Sequence, residues 1–163
     1  MELEPVTVVR MTEVKIVADC AASAESAFAY VNDYRHLPKF INEITDFEPL
    51  TAQTEGVDAT FDGTIGLGPV KLHSTIKIVR HEPGYAIGVR SIKGFEIEST
   101  FLFHDKGEES CTIDAIVDYR VPGGIAGKLL GKTIEPFVKL AVKSSTHNLV
   151  TQVAAFHTER TSA

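Results

Sequence analysis

The stretch Pro136-Phe137-Val138-Lys139-Leu140-Ala141-Val142-Lys143-Ser144-Ser145-Thr146-His147-Asn148-Leu149-Val150-Thr151-Gln152-Val153-Ala154-Ala155-Phe156 decides the fold. At about 100° per residue, Phe137, Val138, Ala141, Val142, Ser145, Leu149, Val153 and Phe156 fall on one face of a helix, and Lys139, Lys143, Thr146, His147 and His157 on the other. The spacing predicts a long amphipathic helix within residues 122–163. Its apolar stripe needs a partner surface: full burial of the large side chains, at about 1.5–3 kcal/mol each, gives a gross drive of about ten kcal/mol before chain entropy is subtracted. Ser145 and Gln152 interrupt the stripe near its middle, as the wall of a cavity would require. Pro136 implies either a bend or a fresh helix start near Thr133, with Glu135 in its first turn and residues 124–132 forming a separate short helix.

The partner surface lies upstream. From Ile44 to Arg120 the hydrophobic period falls to two, with strands expected at 43–51, 57–66, 69–81, 85–93, 95–104 and 110–121. Turn residues such as Gly66-Leu67-Gly68-Pro69, Glu82-Pro83-Gly84 and Lys93-Gly94 separate them, which describes an antiparallel meander. One expected face carries Phe61 and Ile65, then Leu72, Ser74 and Ile76, then Tyr85, Val89 and Ser91, then Ile97, Ser99 and Phe101, then Ile113, Ala115, Val117 and Tyr119. The other carries Asp58, Asp62, Lys71, His73, Lys77, Arg90, Glu96, Glu98, His104, Asp114, Asp118 and Arg120. A sheet with one wet and one apolar face needs a cover, and the terminal helix is the long amphipathic element available.

Ahead of the meander, residues 6–19 read as a first strand. Ser23 then stands as an N-cap for a short helix carrying Ala24, Ala27, Phe28 and Val31, and a second helical turn is expected around Pro38.

The 163 residues suit a single domain, 44% of them hydrophobic. A net charge of −6, from 16 Lys plus Arg against 22 Asp plus Glu, disfavours a nucleic-acid partner, whose phosphates would need neutralising. No apolar run of about 18 residues exists to span a membrane, and acidic residues follow Met1 where a signal peptide needs basic ones, so a cytoplasmic location is expected. Cys20 and Cys111 are isolated in sequence and are expected to be buried free thiols. The 6 histidines show no metal-binding spacing, and Gly131-Lys132-Thr133 lacks the earlier glycine of a phosphate loop, so neither a metal nor another cofactor is expected.

The segment Ala24-Glu25-Ser26-Ala27-Phe28-Ala29-Tyr30-Val31-Asn32-Asp33-Tyr34-Arg35-His36-Leu37-Pro38-Lys39-Phe40, together with Cys111-Thr112-Ile113 running into Tyr119-Arg120-Val121-Pro122-Gly123-Gly124-Ile125-Ala126-Gly127, resembles the START-like superfamily in its polyketide cyclase/dehydrase and lipid-transport branch. The resemblance implies a helix-grip fold of the α+β class. A curved antiparallel sheet of about seven strands would wrap around the C-terminal helix, with two short helices after the first strand and an apolar cavity between sheet and helix. It places the cavity rim at the loop 66–69, near Gly94, after Pro38 and at residues 122–124, with Leu67 and Ile125 as apolar rim residues.

The expected function is binding of a small hydrophobic molecule such as a lipid, an isoprenoid or a polyketide-like aromatic. The candidate ligand-binding residues are the inward strand positions Phe61, Ile65, Leu72, Ile76, Tyr85, Val89, Ser91, Ile97, Ser99, Phe101, Ile113, Ala115, Val117 and Tyr119, with Phe137, Ala141, Ser145, Leu149 and Gln152 from the helix. No ionisable residue of strands 57–121 points inward on this register, apart from the tyrosine and cysteine hydroxyl and thiol groups, so no catalytic residue is assigned. A strand bulge could bring His73, Arg90, Glu98 or Asp114 to the cavity side, and His36 could approach its mouth. Two alternatives stay open: a cyclase, aromatase or dehydrase acting on a polyketide-like substrate, and a partner-binding or quinone-binding module.

Overall fold

The computed structural model describes residues 11–120 and 125–162, with side chains from residue 134 onward in the second segment. The early part of the first strand and the 122–124 rim therefore lie outside the described residues, as does the Ile125 side chain. The chain runs β1 (Thr12–Cys20), α1 (Ala24–Asn32), a 3-10 turn (Tyr34–His36), α2 (Leu37–Phe40), β2 (Ile44–Pro49), β3 (Thr60–Leu67), β4 (Val70–Glu82), β5 (Ala86–Gly94), β6 (Glu96–Asp105), β7 (Cys111–Arg120) and α3 (Ile125–Thr161).

The seven strands form one antiparallel sheet in the order β1-β7-β6-β5-β4-β3-β2, with α3 across its apolar face. This is the helix-grip architecture. Ser23 caps α1 by accepting the Ser26 N–H, and Asp33 caps the 3-10 turn by accepting the Arg35 N–H. Among the described residues, no helix is long and apolar enough to cross a membrane.

Bulges disturb the alternation in three places. The pairings skip Thr45 in β2, Val79 in β4 and Ile92 in β5, and an extra residue bends its strand and sharpens the local twist. Val79 and Ile92 are left 39% and 57% exposed. Past Val79 the β4 parity inverts: Arg80 faces out over the Tyr85 ring, while His81 bonds the Asn32 side chain and packs on Phe28. None of the four residues that a bulge might have turned inward lines the cavity. His73 pairs with Asp62, Arg90 with Glu98, and Asp114 with His104 and Lys15.

Helix α3 settles one alternative and departs from one expectation. It continues through Pro136 rather than starting afresh at Thr133. Its buried stripe is also rotated: Ile134, Val138, Val142, Thr146, Leu149, Val153 and His157 are buried, whereas Phe137 is 38% exposed. Thr146 and His157, assigned by the wheel to the wet face, satisfy their polar atoms internally. The Thr146 hydroxyl donates to the Val142 carbonyl, and His157 bonds Ser26 and Glu109.

The core has three parts. Phe28, Phe40, Phe103, Ile113, Leu149 and Val153 form the centre of the first, between α1, α2 and the C-terminal half of α3. Leu67, Phe95, Tyr119, Ile134, Val138 and Val142 form the second, under the earlier half of α3, and Ala59, Phe61 and Ile78 the third. Cys20 and Cys111 sit opposite each other in β1 and β7 as buried free thiols. The Cys20 thiol is raised well above its ordinary range by its hydrogen bond to Cys111 and by burial, so it holds its proton.

Candidate functional site

Between these core regions lies a cavity of about 190 Å³, walled by the sheet on one side and the middle of α3 on the other. From the sheet, Phe61 and Ile65 of β3, Ile76 of β4, Val89 of β5, Ile97, Ser99 and Phe101 of β6 and Ala115, Val117 and Tyr119 of β7 line it, and Ala141 and Ser145 face it from α3. These twelve positions are all on the expected inward face.

Seven expected lining residues lie elsewhere. Tyr85 belongs to the turn that precedes β5, donating its N–H to the Glu82 carbonyl, and so stands outside the strand alternation on the outer face beside Arg80 and His104. Leu72 packs at the β3–β4 end of the sheet with the second core cluster. The Ser91 hydroxyl accepts the Ile97 N–H where the β5–β6 pairing ends. Ile113 and Leu149 are fully buried in the first core cluster.

Phe137 lies against the β3–β4 turn. The φ of +60° at Gly68 favours glycine, and a Cβ there would sit 2.4 Å from the Phe137 ring, so a larger residue would have to displace that ring. Leu67, expected on the rim, lines the cavity and is buried against this same end of α3. Gln152 accepts a 2.5 Å hydrogen bond from the Tyr30 hydroxyl and donates to the Lys39 carbonyl, which fastens α3 to α1 and α2. His36 turns to its own neighbourhood rather than the cavity, its Nδ1 lying 2.7 Å from the Tyr30 carbonyl and its ring stacked on Tyr30.

Of the third wall, sequence reasoning anticipated only the segment after Pro38. Val31, Asn32, Tyr34, Leu37, Ile41, Glu43, Ile44 and Phe47 line the cavity from the segment linking α1 to β2. Short helical turns joined by irregular backbone carry no sustained period, so no facing could be read from that stretch. Among the described lining residues Glu43 is the single Asp, Glu, Lys, Arg or His.

The polar atoms of the wall divide into two groups. The Ser74 hydroxyl donates to the Phe95 carbonyl and Thr146 to Val142, so both are occupied by backbone. The Ser99 and Ser145 hydroxyls have no hydrogen-bond partner among the described residues, which leaves them available to an occupant. Burial, and secondarily the charge of Glu135, raises the Tyr119 phenol, so it stays protonated as a neutral polar group.

Outside the cavity, Ser26 Oγ lies 2.7 Å from His157 Nδ1, and His157 Nε2 lies 3.1 Å from the Glu109 carboxylate. The residue types are those of an activated nucleophile. Ser26 is nevertheless buried, receives further hydrogen bonds from Ser23 and Arg160, and lies outside the cavity, so the cluster clasps α1 and α3 to the β6–β7 loop.

A family model described as polyketide cyclase / dehydrase and lipid transport matches residues 11–154. Among solved structures, the chain is similar to the Zhui aromatase/cyclase from Streptomyces sp. R1128, at 10% identity and a TM-score of 0.76 over 88% of this chain and 93% of that one. TTHA0849 from Thermus thermophilus matches at 20% identity and a TM-score of 0.75, over 88% and 98%. A START superfamily protein from Mycobacterium smegmatis matches at 20% identity and a TM-score of 0.58, over 80% and 97%. No curated protein matches the chain. At these identities the structures establish the shared fold, and the family model spans β1 to the buried C-terminal half of α3. On that match the chain belongs to the polyketide cyclase / dehydrase and lipid transport family.

Proposed function

We propose that the protein binds, and can carry, a small hydrophobic molecule such as a lipid, an isoprenoid or a polyketide-like aromatic in the cavity between sheet and α3. The observation that carries this reading is the cavity itself: about 190 Å³, apolar on nearly every side, with a few hydroxyls that can orient a guest. A void of about 150 Å³ lined by Leu, Ile and Phe stays dry and admits benzene, so a space of this size and chemistry favours a compact apolar ligand over water. Protein purified gently should release a lipophile on solvent extraction, detected by mass spectrometry, and should bind an apolar fluorescent probe that such a lipophile displaces. Protein that yields no lipophile and shows no probe binding would sink the proposal.

A second reading, a cyclase- or dehydrase-type enzyme, is favoured by one observation, the presence of Glu43 among the lining residues. A carboxylate there could serve as a general base, provided that the reacting carbon of the substrate lies within hydrogen-bond reach. Turnover of a polyketide-like substrate that is lost in Glu43→Gln, with ligand binding retained, would establish it. Binding without turnover would leave the carrier reading alone.

A further inference from the structure

Building on the reading of the cavity as a ligand site, we propose that Glu43 selects ligands whose polar end donates a hydrogen bond: an alcohol, phenol or amine on an apolar body, in preference to a carboxylate, phosphate or ether.

The backbone of Glu43 is fixed. It lies in the turn between α2 and β2, where its carbonyl accepts the Gly66 N–H at 2.8 Å and the Ile44 N–H closes back on the Ile41 carbonyl at 3.1 Å. Glu43 is one of the lining residues, and its Oε2 is buried with no hydrogen-bond partner. It is the one buried side-chain nitrogen or oxygen left in this condition among the described residues.

Buried polar atoms are ordinarily paired, and leaving an acceptor unpaired costs free energy that a bound donor restores. An ionised carboxylate can only accept, so the group that completes it must carry an O–H or N–H. The rest of the wall points the same way. No Lys, Arg or His is among the described lining residues, and Arg35, in the segment that forms the third wall, is held by Asp33. An anionic headgroup would therefore meet a like charge with no cation among the described lining residues to offset it, while an ether would leave Oε2 unpaired. The Ser99 and Ser145 hydroxyls can donate or accept and so do not discriminate.

Four ligands with one skeleton test this: naphthalene, 2-naphthol, 2-methoxynaphthalene and 2-naphthoate, titrated at neutral pH against the full chain and against Glu43→Gln. The expected result is 2-naphthol binding about tenfold more tightly than 2-methoxynaphthalene, the gain of a hydrogen bond to a charged acceptor, with 2-naphthoate weakest. In Glu43→Gln the first two should converge to within about threefold and 2-naphthoate should gain. Equal binding of all four to the native chain, 2-naphthoate binding best, or an unchanged ranking in the variant would each overturn the role of Glu43 while leaving the cavity as a ligand site. Failure of all four, naphthalene included, would instead overturn the cavity reading on which the role depends. Should the variant not fold, the ranking on the native chain decides alone.

Discussion

The two halves of α3 use similar residues at similar spacing and do different things. From Leu149 to His157 the helix is held on several sides, with Leu149 and Val153 fully buried and Gln152 and His157 tied by hydrogen bonds to α1, α2 and the β6–β7 loop. From Val138 to Thr146 the same stripe continues, but here Val138, Ala141, Val142, Ser145 and Thr146 line the cavity. The difference lies in what stands opposite. The later half meets two short helices as well as the sheet, so side chains from three directions interlock. The earlier half spans the concave sheet, whose β2, β4 and β5 are bent by bulges, and the cavity lies between them. A cavity thus arises from curvature opposed to small side chains rather than from any break in the hydrophobic pattern.

The largest way to expose this contrast is Leu149→Ala. Truncating a fully buried leucine in the interlocked half should cost about 2–5 kcal/mol, read as a lower denaturation midpoint with unchanged slope. A loss below about 1 kcal/mol would mean that this half is as loosely packed as the other. Next comes Gln152→Leu, which strands the Tyr30 hydroxyl and the Lys39 carbonyl and should cost about 1–3 kcal/mol in the same assay while leaving probe affinity unchanged. A large fall in affinity with native stability would place Gln152 at the ligand after all.

In the other half, Ala141→Phe should fill the cavity and weaken binding of an apolar probe by more than about tenfold, equivalent to ~1.4 kcal/mol, with a smaller change in stability. Native affinity in that variant would show that the ligand sits elsewhere. The smallest effect belongs to the junction between the halves' partners, at Asp33. The Arg35 guanidinium beside it, with further help from the Arg35 N–H and His36, holds its carboxyl down at about 2. A folded value below the ordinary ~3.9 adds stability that is present above pH ~4 and is lost as pH falls toward 2. Asp33→Ala, which also removes an N-cap, should therefore cost about 1 kcal/mol at neutral pH and distinctly less near pH 2, measured by denaturant titration at both. A difference that does not shrink in acid would mean that the charge is irrelevant there.

The sequence was most legible where one physical requirement acts alone. Period-two alternation with turn residues placed β3 to β7 within a few residues of their observed ends, and twelve of the nineteen expected lining positions face the cavity. The misses have particular causes. Tyr85 left the alternation because it sits in a turn, and Ser91 and Gln152 found partners within the protein. Phe137 was misplaced because the wheel was phased on the largest apolar residues, whereas the buried stripe runs through Thr146 and His157, whose polar atoms are satisfied by groups distant from or behind them in the chain.

By itself, then, the sequence determined the antiparallel meander, its wet and apolar faces, and the helix that must cover it, because side-chain periodicity and turn chemistry are local. Tertiary structure alone decided where the cover fits tightly and where it leaves space. It also put Glu43 on the cavity wall with an unpaired oxygen, because that placement depends on strand bulges, sheet curvature and the Gly66 contact, which join segments far apart in the chain.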